Sequence, residues 1–98
     1  MTPMTKAHLN LPSWRGTLYQ VNRGEPEKAV AFVRSKKPRL WVGGVESWLP
    51  ARVELVVLEE NLILDEARYL AHALTEACAD IEALDAKYPA HTPAEVAP

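Results

Sequence analysis

Between Pro50 and Pro89 the chain contains neither glycine nor proline. Within that window, residues 64–84 read LDEARYLAHALTEACADIEAL, and at 100° per residue their apolar members fall on one stripe. Ala67, Leu70, Ala71, Leu74, Ala77, Cys78, Ile81 and Leu84 form that stripe, while Asp65, Arg68, Tyr69, His72, Glu76, Asp80 and Ala83 occupy the opposite side. Ala, Leu, Glu and Arg are strong helix formers, so the spacing predicts one long amphipathic helix. Asp65 or Asn61 could cap its start by accepting from orphan N–H groups, Lys87 suits the negative end of the helix dipole, and Pro89 blocks continuation. A helix with one apolar stripe needs a surface to bury it, and the rest of the chain must supply that surface. The small residues Ala67, Ala71, Ala77 and Cys78 are expected to let the helix sit close to a sheet.

A chain of 98 residues supports one domain. With 48% apolar residues it has the material for a core. Its one cysteine excludes a disulfide framework and a cysteine-based zinc site, and Cys78 is expected to be a small core residue. No apolar run reaches the ~18 residues that span a bilayer. Residues 1–12 lack the charged-then-apolar order of a secretory leader, so a soluble cytoplasmic protein is expected. Charge is divided unevenly. Nine basic and three acidic residues lie before Val53, and ten acidic and two basic residues follow. Such asymmetry can orient a charged partner, or reflect a solvated sheet and a solvated helix face.

Taken in order, residues 1–13 read as an irregular arm. Residues 14–22 alternate, with Thr17, Tyr19 and Val21 on one side, and predict a strand. Residues 23–27 hold Gly24 and Pro26 and predict a turn. Residues 28–34 predict a second strand, Ser35-Lys36-Lys37-Pro38 a turn, and residues 39–42 a third strand ended by Gly43-Gly44. Residues 45–50 read as a loop. Residues 52–58 predict the fourth strand, with Val53, Leu55 and Val57 on the face where the helix would sit. Residues 88–98 read as a disordered tail. The expectation is an α+β domain over residues 14–87: a four-stranded antiparallel meander with one long C-terminal helix on one face. The other face would carry Val56, Leu58 and parts of Trp41, Tyr19 and Phe32. An apolar face of that kind predicts a homodimer, unless the N-terminal arm covers it.

Chemistry has little to stand on. His72 and Glu76 are one helical turn apart, but no third ligand is placed beside them, so no metal site is expected. Ser13, Ser35 and Ser47 have no neighbouring histidine, and Gly43-Gly44 precedes no helix, so neither a nucleophilic triad nor a phosphate cradle is read. No enzymatic activity, cofactor or membrane partner is expected. Two binding classes remain. Val45, Trp48 and Leu49, with Trp41 nearby, lie on an expected protrusion and suit a protein partner, because tryptophan is enriched among interface hot spots; inward packing of Trp48 as core filler is the alternative. Arg34, Lys36, Lys37 and Arg39 cluster at the expected turn, near the stacking faces of Trp14, Trp41 and Tyr19, and would suit single-stranded nucleic acid.

In the helix, Glu66-Ala67-Arg68, Leu70-Ala71 and Ala73-Leu74 follow an apolar strand and a short turn. In this the chain resembles the C-terminal half of small uncharacterised proteins of actinobacteria and their phages, which end in a strand, a turn and an "EAR-x-LA-x-AL" helix. The likeness covers roughly a third of the chain. It departs at Ile63-Leu64, where those proteins have Thr-Pro. The resemblance implies a small accessory or mobile-element protein and transfers no functional residue. By analogy it suggests a phage-type inhibitor or regulator of a host complex, nucleic-acid-guided defence complexes included. The expected function is therefore non-enzymatic protein–protein interaction, with nucleic-acid binding through the basic turn as the alternative.

Overall fold

The computed structural model describes residues 3–90. Five strands and one helix follow in chain order: β1 (Met4–Leu11), β2 (Trp14–Arg23), β3 (Lys28–Val42), β4 (Val45–Trp48), β5 (Arg52–Val57) and α1 (Leu64–Lys87). All strand pairs are antiparallel. β1, β2 and β3 run as a meander, and β4 and β5 lie end to end along the far edge of β3. β5 pairs Ala31–Lys36, and β4 pairs Arg39–Val42. The α+β class and the single C-terminal helix packed on the sheet agree with the sequence reading; the meander does not extend beyond β4.

Three expectations require correction. The N-terminal arm is a strand, with Met4 opposite Val21 and Leu11 opposite Trp14. The turn expected at Ser35–Pro38 does not form, and 15 residues run as one strand. Lys37 is drawn inward to Asp85, and Pro38 falls at the joint between β5 and β4, so its missing N–H interrupts a ladder end and not a ladder centre. Its carbonyl still accepts from the Leu49 N–H at 3.0 Å. Third, residues 45–48 are strand, not loop. Of the expected tail, residues 91–98 lie outside the described residues, while Tyr88 packs on the body.

The core lies between the sheet and α1. Tyr19 and Val33 meet Ala73 and Ala77, with Leu70 and Leu74 around them, and Val21, Val30 and Ala31 form a second cluster with Leu62 and Leu70. Small side chains do bring the helix close: Ala77, as expected, and Ala73, which was not among the expected four. The buried line is Glu66, Leu70, Ala73, Ala77, Asp80 and Leu84, rotated from the apolar stripe. Ala67, Ala71 and Cys78 are exposed, which corrects the reading of Cys78 as core. Tyr19 is likewise on the helix side, not on the uncovered face.

Polar clamps explain the rotation. Near the helix start, Arg23 grips both oxygens of Glu66 at 2.7 and 2.5 Å. Glu66 also accepts from the Ile63 N–H at 3.1 Å, half of a capping box, so neither Asn61 nor Asp65 is the cap. In the third turn from the end, Asp80 accepts from the Tyr19 hydroxyl and, at 3.2 Å, from Ser35. At the end, Asp85 accepts from Lys37 at 2.6 Å and from the Ala51 N–H at 2.8 Å. These carboxylates must face the sheet, and they turn the helix until they do. The uneven charge of the two halves of the chain is thus largely internal: basic strands hold an acidic helix.

Candidate interaction surfaces

The end of β3 and β4 make a hairpin whose turn, Gly43-Gly44, has φ of 57° and 79°. Positive φ at both central residues matches the twist of a two-residue hairpin and is open to glycine. Gly-Gly between β-branched residues is the signal that could have revealed β4 in the sequence. Just past the β2–β3 ladder, the Arg39 N–H donates to the carbonyl of Ser13 in the β1–β2 turn. Residues 40–47 therefore project past the β1–β2 turn, and the molecule extends to 55 × 21 × 21 Å.

Large apolar side chains cover this projection. Trp41 is 58% exposed on one face, and Leu40, Val42 and Val45 are exposed on the other. Leu49 is exposed where β4 ends. Trp48 is only 8% exposed: its ring lies 4.4 Å from that of Tyr88, with the Arg39 and Arg15 guanidinium groups at 5.1 and 5.8 Å. Of the four expected contact residues, Trp41, Val45 and Leu49 are available, and Trp48 is the filler that seats the hairpin on the body. Leu40 and Val42 were not among the expected contacts.

The basic cluster is dispersed by strand geometry. Alternation along β3 sends Lys37 to the helix side, where it is 0% exposed, and Arg34 and Lys36 to the opposite face. There both approach Glu54, at 3.6 and 3.8 Å, and both lie over the buried Trp14 ring. Arg39 donates to the Leu11 and Pro12 carbonyls and approaches Glu46 at 3.6 Å. Each of the four cations already faces an acid or a carbonyl.

A cavity of about 410 Å³ lies between the β1–β2 hairpin and the second half of α1. Leu9, Ala83 and Leu84 contribute apolar wall, and His8, Arg15 and Lys87 contribute basic groups. A hydrogen-bonded chain runs beside it. His8 Nδ1 lies 3.0 Å from the Thr17 hydroxyl, the Thr17 N–H donates to Ser35 Oγ, and Ser35 and Tyr19 donate to Asp80. Burial, then the bond to Asp80 and its charge, hold the Tyr19 phenol far above its ordinary range, so it stays a donor. Arg15 is committed to the Tyr88 hydroxyl and to Asn10.

Among the described residues, no group of three or more His, Cys, Asp or Glu is placed to hold a metal ion, and no helix is long and apolar enough to cross a membrane. No protein-family model, curated protein or solved structure matches the chain.

Proposed function

We propose that this chain is a non-enzymatic interaction module that engages a partner protein through the tip of the β3–β4 hairpin. The observation that carries the reading is the group of exposed apolar side chains, Leu40, Trp41, Val42 and Val45, at the tip of a hairpin. Apolar side chains gathered on a projection are the mark of a contact site. Gripped at its base by Trp48, Tyr88 and Arg39, the hairpin presents Trp41 with little ordering left to lose on binding. In its most concrete form the module is a regulator or inhibitor of a larger host complex, a form that rests on the sequence resemblance alone.

The test is capture from a lysate of the source cell, with and without nuclease and at two salt concentrations. A stoichiometric protein partner that survives nuclease and salt, is lost with Trp41→Ser, and is kept with Lys36→Glu supports the reading. Recovery of nucleic acid alone, falling steeply as salt rises, overturns it and transfers the function to the basic residues of β3.

A further inference from the structure

We propose that a second copy of this chain pairs with the outer edge of β5, antiparallel and centred on Leu55. The backbone gives the first reason. The Leu58 N–H donates to the Val30 carbonyl at 2.8 Å, and Val56 and Glu54 stand opposite Phe32 and Arg34. In an antiparallel ladder the bonded residues alternate, so Arg52, Glu54, Val56 and Leu58 turn their N–H and C=O groups to β3. Val53, Leu55 and Val57 turn theirs outward, where no described strand pairs with them.

The side chains give the second reason. Leu55 is 50% and Val57 46% exposed, although both lie on the helix face of the sheet with the partly buried Val53. Above them runs the half of the apolar stripe that the core leaves out, Ala67, Ala71 and Cys78. Two contacts fix which way this half faces. Asp85, on its side of the helix, accepts from Ala51 just ahead of β5, whereas Glu76, on the other side, reaches Lys6 of β1. The uncovered stripe therefore overhangs β5. No proline or inward charge guards this edge.

Register selects a second copy as the occupant. About a two-fold axis through Leu55, Leu55 faces itself and Val53 faces Val57, and these three pairs exchange all six outward donors for acceptors. On the opposite face Arg52 meets Leu58 and Glu54 meets Val56, so no like charges stand opposed. A step of two residues in one direction sets Glu54 against Glu54, and in the other it brings Glu59 against Val53. A step of one residue sets helix-side chains against those of the opposite face. Both helices then lie on one side, with Ala67, Ala71 and Cys78 of each facing across the seam and Glu82 and Asp85 following them at the end of the same stripe.

The experiment is sedimentation of the full chain over a wide concentration range, with amide exchange on the same samples. Wild type is expected to shift from monomer to dimer. The Val53, Leu55 and Val57 amides should gain protection with concentration, while those of Glu54 and Val56 are protected throughout. Leu55→Lys places two cations on the axis and should weaken association at least ~10-fold. Because Leu55 is half exposed, the fold is expected to survive, as circular dichroism will show. In a Cys78→Ser background, Leu55→Cys should cross-link to itself. A monomer at every concentration, a dimer indifferent to Leu55→Lys, or an edge that captures only another protein's strand overturns the proposal. Trp41→Ser is expected to leave dimerisation unchanged, which separates this result from failure of the hairpin reading.

Discussion

β1 and β5, on opposite edges of the sheet, meet solvent in opposite ways. β1 presents Thr5, Lys6, His8 and Asn10, and Lys6 bends back toward Glu76 on the helix at 3.8 Å. β5 presents Leu55, Val56, Val57 and, just past its end, Leu58. An unpaired strand is a template for another chain, and polar or lysine-bearing edges discourage that use. β1 is built to be an end of the sheet, whereas β5 is built to continue. An exposed strand is informative when its side chains contradict its position, as those of β5 do and, Leu11 aside, those of β1 do not.

The comparison can be broken at its centre. Gly16, in β2, has no room for a side chain: a Cβ there would lie 1.7 Å from the Ser35 carbonyl oxygen. Gly16→Ala must separate β2 from β3 and detach β1 from the rest, at a cost of about 3 kcal/mol or more. Urea titration should show a much earlier midpoint. Asp85→Ala acts nearer β5. It leaves the enclosed Lys37 ammonium opposite no carboxylate and frees the Ala51 N–H, costing about 2 kcal/mol. Its melting temperature should fall well below that of wild type.

Acid supplies a subtler test of the clamps at the two ends of the helix. The Arg23 guanidinium, aided by the Ile63 N–H, holds the Glu66 carboxyl down at about 2. Lys37 and the Ala51 N–H hold Asp85 below its ordinary value. Both are lower folded than unfolded, so the unfolded chain binds more protons in acid. Their stabilisation is complete above the ordinary carboxylate range and is lost as pH falls through it toward 2. Melting temperature against pH should decline across that window, and Glu66→Gln should flatten the decline. The smallest effect belongs to the hairpin. Trp41→Ser removes an exposed ring and should change stability by less than about 0.5 kcal/mol in chemical denaturation.

Much of the architecture was legible because periodicity reports burial directly. The helix, β2, the first part of β3 and β5 all have clear apolar patterns. The turn expected at Lys36-Lys37-Pro38 shows where pattern fails. Two lysines and a proline read as solvent-exposed punctuation until Asp85, 48 residues away, provides an internal partner for Lys37. β1 was missed because its sequence carries little alternation and borrows its order from β2. The helix stripe enters the core only in part: Leu70, Leu74 and Ala77 do, while Ala67, Ala71 and Cys78 do not, since Glu66, Asp80 and Asp85 turn the helix away from them. Within the candidate surface, Trp41, Val45 and Leu49 were legible as exposed, but Trp48 was not separable from them without Tyr88.

The unbroken length of β3 has a consequence for reach. From Val33, which stands opposite Leu55, to Gly43 is ten residues, about 33 Å of extended chain. The two-fold axis proposed at Leu55 would send the two hairpin tips in opposite directions, roughly 60 Å apart. Tips so placed cannot close on one small globular target. They would bridge two, or span neighbouring subunits of a repeating assembly, where the second contact is made at high effective concentration. Measured affinity would then depend on the target's valency, and a single isolated subunit would understate it.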